Sequence, residues 1–263
     1  MSKKLVTHTN NCLTIRSLLI RSLYKAGSGH PGSSLSLIEM LYHIYRFEKN
    51  FKLILSKGHG VPGQYAVMKF FNQIDDKNFY NLRKINSKAQ GHPDRRNFKK
   101  IDASTGALGQ GLSIAIGYAI AREYQKKDGY VYCILGDGEL QEGQIWESLM
   151  FLNSKYLKKL IIIVDHNKFQ NEDLISKTLP MPMIEKKWQS FGFKVFKIDG
   201  HDLNSLDQAV KKVKNTKKPS VIIADTIKGK GISFMENSGH WHSAKITDEF
   251  YIKAMKELND KKK

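Results

Sequence analysis

Two short polar stretches could do chemistry together. A Gly-Asp-Gly at 136–138 ends the apolar run Tyr130–Leu135, and an Asn-Lys at 167–168 closes the run Leu160–Val164. Asp137 offers a carboxylate and Asn167 an amide oxygen. Hard cations such as Mg²⁺ or Ca²⁺ take oxygen ligands and leave positions for phosphate and water. Gly136, Gly138 and Gly143 let the backbone approach a ligand closely. A helix beginning near Glu142 offers its N-terminal N–H groups to an anion. Together these residues predict a metal-bridged diphosphate site. Gly-Asp-Gly alone reads as readily as a turn; its pairing with Asn167-Lys168 makes the signal specific.

Histidines form a second set. Of the 9 in the chain, His30, His59, His92 and His242 sit in Gly-rich or strand-end loops. A single loop histidine is usually structural. Four that converge near a phosphate can donate hydrogen bonds and shuttle protons near neutral pH.

The elements that must position these residues alternate. Helices are expected at Asn11–Lys25, along the stripe Leu37, Ile38, Leu41, Ile44 and Tyr45, and at Pro62–Phe71, Asp76–Lys84, Leu108–Gln125, Ile184–Phe191, Leu203–Lys214 and Asp248–Leu258. Strands are expected at Phe51–Leu55, Tyr130–Leu135, Leu160–Val164, Lys194–Ile198 and Pro219–Asp225. Ser33 or Ser34 can cap the second helix, and Ser104 and Thr105 the helix from Leu108. Small residues along the helix Leu108–Gln125 permit close packing, so it is expected to be buried or at an interface. Residues 173–183, with Pro180 and Pro182, read as a loop. This order predicts one α/β domain over residues 1–263, a three-layer α/β/α arrangement with a mostly parallel central sheet. Right-handed βαβ crossovers bring the strand ends, and so Asp137 and Asn167, to one edge where ligands sit.

Composition narrows the function. Net charge is +18, but lysines are spread from Lys3 to Lys263 without a nucleic-acid-binding module, so solvated helix faces explain them better than a nucleic-acid partner. No apolar run approaches a membrane span, and MSKKLVTHTNN lacks the apolar core of a signal peptide. Two cysteines, Cys12 and Cys133, are too few for a disulfide scaffold, which points to the cytoplasm.

The pair Asp137 and Asn167 resembles the thiamine diphosphate fingerprint, and Leu140-Gln141-Glu142-Gly143 looks like its transketolase branch. SGHPG at 28–32, LSKGH at 55–59, QGHPDRR at 90–96, STGALGQGLSIAIG at 104–117, IDGHD at 198–202 and KGKGISFMEN at 228–237 extend the resemblance, in family order, to the N-terminal half of transketolase. The fit is closest to the N-terminal subunit of split, two-gene transketolases. The resemblance implies thiamine diphosphate and a Mg²⁺ (or Ca²⁺ or Mn²⁺) ion held by Asp137, Asn167 and the Phe169 carbonyl. It implies cofactor contacts from His59, Gly106 (through its carbonyl), Leu108, Gly138, Glu142, Asn167 and Lys230, and catalytic roles for His30, His92 and His242. The implied reaction moves a two-carbon ketol unit from a ketose phosphate to an aldose phosphate.

Two departures from the family pattern stand out. The segment between Tyr45 and Leu55 is short, and Trp241-His242-Ser243 replaces Trp-His-Gly, which leaves His240 as a rival to His242. The family's next domain, with the glutamate that protonates the aminopyrimidine and most sugar-phosphate contacts, is expected on a separate C-terminal subunit in an α2β2 assembly. Alternatives are a transketolase-like subunit for a specialised sugar and a non-catalytic, partner-stabilising subunit.

Overall fold

Alternate residues of the central strands face opposite ways, and both sets are apolar. The computed structural model, which describes residues 3–262, buries both. Helix α1 (Lys3–Ala26) stops at Gly27, whose φ of +72° suits a glycine after a helix end. Helices α2 (Pro31–Leu35) and α3 (Ile38–Phe47), strand β1 (Lys52–Leu55), and helices α4 (Val61–Phe70) and α5 (Asp76–Tyr80) follow. Next come α6 (Gln110–Tyr124), β2 (Val131–Gly136), α7 (Gly143–Ser154) and β3 (Leu160–His166). A small hairpin of β4 (Phe169–Gln170) and β5 (Asp173–Leu174) leads into α8 (Ile175–Thr178), α9 (Ile184–Ser190) and β6 (Lys194–Asp199). The remainder is α10 (Leu203–Asn215), β7 (Ser220–Asp225) and α11 (Asp248–Asp260).

Five parallel strands form the sheet in the order β1-β2-β3-β7-β6. Tyr132, Ile134, Ile161, Ile163 and Ile222 face one core, shared with α1, α3, α4, α10 and α11. Cys133, Leu135, Ile162, Val164 and Ile223 face the other, shared with α6, α7 and α9. Both faces are therefore covered, and the α/β/α expectation holds. Gly136 pairs with Asp165 at the end of the β2–β3 ladder, so Asp137 and Asn167 emerge side by side at the C-terminal edge. Among the described residues no helix is long and apolar enough to cross a membrane.

Local expectations differ in five places. The helix from Asp76 ends at Tyr80, and Arg83 and Asn86 adopt positive φ of 63° and 61° beyond it. Ser33 and Ser34 lie inside α2, which opens on Pro31 with no side-chain cap. Ser104 and Thr105 do not cap α6: their hydroxyls bond the Arg95 N–H and the Leu55 carbonyl. Gly111 of α6 packs on Ser56, but Gly117 and Ala121 face outward, so that helix is only half buried. Residues 173–183 carry β5 and α8 rather than an unbroken loop, because the Phe169–Leu174 pairing folds the chain back on itself.

Candidate active site

The sheet edge opens into a cleft of about 230 Å³, whose walls include Lys57, His59, Leu108, Asp137, Gly138, Glu142, Asn167, Phe169 and His242. Its floor is polar and buried. Asp137 accepts hydrogen bonds from the N–H groups of Gly138 and Lys168. Among the described residues it makes no ion pair, and burial, with Asp165 adding to it, outweighs the Lys168 N–H and the nearby Lys57 and pushes its carboxyl up to about 6. Asn167 accepts the Phe169 N–H on its side-chain oxygen (3.0 Å) and donates its amide to Asp165 (3.2 Å).

Beneath them lies a node the sequence did not disclose. The fully buried Asp165 is paired with Lys57 Nζ at 2.5 Å and accepts from the hydroxyls of Ser36 (2.7 Å) and Thr226. Burial alone would raise its carboxyl; the Lys57 ammonium and the hydroxyls outweigh that and hold it below the usual range. Glu139, also buried, accepts from Ser56 and from the N–H groups of Gly109 (2.9 Å) and Gly136 (3.0 Å). It thereby ties the start of α6 to the end of β2.

Four histidines stand together beside this floor. The His30 ring lies 5.4 Å from His59, 5.3 Å from His242 and 6.2 Å from His92. His59 and His242 are 5.3 Å apart. Burial lowers the pKa of all four: His30 to about 4, His242 to about 3, with His59 and His92 moved the same way. At neutral pH they are uncharged, able to donate at one nitrogen and accept at the other. Nδ1 of His30 is buried without a hydrogen-bond partner among the described residues, a polar atom that a ligand would satisfy. Gly106, at φ +148°, lets the chain run against His92; a Cβ there would sit 3.1 Å from the ring.

The loop after β7 holds two lysines in different surroundings. Lys230 pairs with Glu236 at 3.7 Å and does not line the cleft. Lys228 is buried instead, donates to the Asn171 carbonyl (2.6 Å), lies 3.5 Å from His242 Nδ1 and stands over the Phe169 ring. Burial first and Lys57 second lower it to about 8. His201 braces this loop. It accepts the Ile227 N–H at Nε2 (2.9 Å), so Nδ1 carries its proton toward Glu39 (3.0 Å), which is locked to Arg16. His242 faces the histidine cluster, whereas His240 is exposed against Trp241. Glu142 is exposed at the start of α7; a 3-10 turn, Gly138–Gln141, separates that helix from Asp137. The first N–H groups beside Asp137 therefore belong to the turn.

Comparison with known proteins decides what this arrangement is. Residues 7–259 match the family model described as "Transketolase, thiamine diphosphate binding domain". The chain belongs to the transketolase family. It is 36% identical to the 6-deoxy-6-sulfo-D-fructose transketolase subunit of Clostridium sp. (strain MSTE9), covering 98% of both chains. It is 31% identical to one subunit of the apulose-4-phosphate transketolase of Phocaeicola vulgatus, across 94% of this chain and 92% of that one. Human transketolase is 36% identical over 95% of this chain, which spans only 41% of the human protein. The crystal structure of Campylobacter jejuni transketolase superposes with a TM-score of 0.86 at 29% identity, covering 98% of this chain and 43% of that one.

The transketolase domain therefore brings every expected site residue except Lys230 to one edge. Lys57, Asp165, Glu139 and Lys228 escaped the sequence reading, although Lys57 and Lys228 lie within quoted motifs and Asp165 and Glu139 stand within two residues of Asn167 and Asp137. Their only signal was a charged residue within three positions of a strand end, where burial is imposed by the fold. The donor set fits a hard cation: one carboxylate, one amide oxygen and a carbonyl, with no cluster of three or more His, Cys, Asp or Glu side chains disposed to hold a metal among the described residues. Asp137, buried and without an ion-pair partner among the described residues, is the group a divalent ion would relieve.

Proposed function

We propose that this chain is the diphosphate-binding subunit of a two-chain transketolase. The observation that carries the reading is the buried Asp137–Asn167 pair sharing one cleft with His59 and His242, whose rings cluster with those of His30 and His92. Asp137, Asn167 and the Phe169 carbonyl would hold Mg²⁺, and Lys228, His59 and the Gly138 backbone the diphosphate. Leu108 and the Gly106 carbonyl would contact the rest of the cofactor, with Glu142 supporting it. When bound, thiamine diphosphate supplies a nucleophilic carbon that can cleave a ketose beside its carbonyl. The chain's own residues orient the sugar and manage protons. With Lys228 donating to Nδ1, His242 keeps its N–H at Nε2, free to donate to a sugar oxygen. His30 and His92 stand ready for the same work at neutral pH.

The partner is a C-terminal transketolase subunit, in an α2β2 assembly. Two relatives covered over nearly their whole length are named as subunits for sulfofructose and for apulose 4-phosphate. Those names, with Ser243 after His242, favour a specialised sugar as strongly as the ketose phosphates of central metabolism. The buried, unpaired Cys12 and Cys133 suit the cytoplasm.

Co-expression with a C-terminal subunit tests the reading. The reconstituted pair should bind thiamine diphosphate in a Mg²⁺-dependent way and transfer a ketol unit, and the lone chain should not transfer it. An intact pair that binds no thiamine diphosphate sinks the proposal. Failure with xylulose 5-phosphate and ribose 5-phosphate, but turnover of another donor, selects the specialised sugar.

A further inference from the structure

The turn that carries Lys228 is gripped on both sides of that residue through one buried carboxylate. Glu39, on α3, accepts from Arg16 Nη1 at 2.7 Å and Nη2 at 2.8 Å. Its Oε2 also accepts from His201 Nδ1 at 3.0 Å. The two partners then reach the turn from opposite ends. His201 Nε2 accepts the Ile227 N–H at 2.9 Å, one residue before Lys228. Arg16 Nε donates to the Lys230 carbonyl at 2.9 Å, two residues after it. Between these holds the Gly229 N–H donates to the Gly32 carbonyl at 3.0 Å, two residues along the chain from His30. Space is as tight as the bonding: a Cβ on Gly231 would meet Arg16 Cδ at 2.7 Å, and one on Gly32 would meet Lys228 Cγ at 3.0 Å.

Burial alone would raise the Glu39 carboxyl; Arg16, with His201 after it, outweighs that and holds it at about 2. Charged at neutral pH, Glu39 keeps the His201 proton on Nδ1 and leaves Nε2 an acceptor for Ile227. A lysine is a point charge on a flexible four-carbon stem, so its place depends on the backbone beneath it. Here that backbone is fixed, and Lys228 Nζ rests 2.6 Å from the Asn171 carbonyl and 3.5 Å from His242 Nδ1. A charge held in place before an anion arrives loses less freedom on binding.

We propose that His201 is a positioning residue: through Ile227 it holds Lys228 in place for the diphosphate, with Glu39 and Arg16 fixing its tautomer and orientation. The proposal rests on the transketolase reading, and the experiment separates the two. His201→Asn puts an amide where Nδ1 stood, so Glu39 keeps a donor, but it is too short for Ile227; His201→Gln reaches Ile227. Thiamine diphosphate binding to the reconstituted pair, with Mg²⁺, is measured by calorimetry for wild type, these variants, Lys228→Met and His201→Asn/Lys228→Met. His201→Asn should weaken binding about 3- to 10-fold, the loss of one neutral hydrogen bond, and His201→Gln should recover part of it. In the Lys228→Met background His201→Asn should cost less than about twofold, because its effect passes through the lysine. A residue that only supports the fold would lower affinity by the same factor in both backgrounds. A second arm needs no cofactor: amide hydrogen exchange of the cofactor-free pair. Ile227 and Gly229 should exchange about 3- to 10-fold faster in His201→Asn, while Ile222 and Ile223 of β7 keep their rates. Equal losses in both backgrounds, unchanged affinity in His201→Asn, or exchange that is unchanged at Ile227 or rises throughout β7 overturns the proposal. A wild-type pair that binds no thiamine diphosphate refutes the transketolase reading instead; faster exchange confined to the turn then still establishes the hold on Lys228, and unchanged exchange there overturns it.

Discussion

Replacing Lys57 by Met should strike the fold harder than its single ion pair suggests. The lysine is 2% exposed and its partner Asp165 is fully buried. Removing the ammonium leaves a carboxylate with only the hydroxyls of Ser36 and Thr226 and the Asn167 amide around it. Breaking a buried pair from one side costs about 3–5 kcal/mol, because the remaining charge is desolvated without compensation. With a urea m-value of about 3 kcal/mol/M, the unfolding midpoint should fall by about 1–1.7 M. The double variant Lys57→Met/Asp165→Asn should recover more than half of that loss, since the two hydroxyls can turn to donate or accept. Urea unfolding followed by circular dichroism reads both. A midpoint for Lys57→Met within about 0.3 M of wild type would refute the reasoning, as would a double variant less stable than the single one.

Other consequences are measurable on the same protein. Lys228→Met should weaken thiamine diphosphate binding to the reconstituted pair about 10- to 100-fold, the loss of one charged contact, while Lys230→Met changes it less than about threefold; calorimetry giving the reverse order restores Lys230 to the site. His30 and His242, lowered to about 4 and 3, should keep constant ring signals from pH 8 down to pH 5.5; an NMR midpoint near 6.5 contradicts their burial. Because the unfolded chain takes up these protons near the ordinary value of 6.5 and the folded chain does not, the two residues should make stability fall as pH drops from about 6.5 toward 4; His30→Gln should flatten that slope in pH-dependent urea unfolding. Gly106→Ala should destabilise the chain by about 1–3 kcal/mol, since φ +148° is all but reserved for glycine. It should also displace His92, visible as a shifted ring signal; an unshifted ring contradicts the packing.

The legible part of this molecule was whatever burial writes into hydrophobic pattern. β2, β3 and β7 are continuous apolar runs because both sheet faces are covered, and each run stops at the edge where Asp137, Asn167 and Lys228 emerge. The loop histidines could be grouped because Gly and Pro mark loops, and strand-end loops of a parallel sheet share one edge. What stayed hidden depends on partners distant in sequence. Asp165 and Lys57 are 108 residues apart and look like any charged pair until the sheet brings them into contact. Lys228 and Lys230 occupy equivalent places in KGKG, and only the turn there, with Gly229 at φ +80°, decides which is buried. The hairpin at Phe169–Leu174 has only two residues in each strand, too few for a periodicity to declare itself.

The register between Gly136 and Asp165 has a consequence for how the chain tolerates length change. Thirty residues separate Asp137 from Asn167, yet that interval is not the ruler that sets their separation. Adjacent strands lie about 4.8 Å apart, and the ladder fixes the two side chains at that scale whatever the crossover contains. An insertion after α7, in the exposed stretch around Lys155, would change the count and leave the two ligands facing each other. One extra residue inside β2 or β3 would turn the following side chains to the opposite face and separate them. Insertions should therefore be neutral in the crossover and destructive in the strands, although both alter the motif spacing equally.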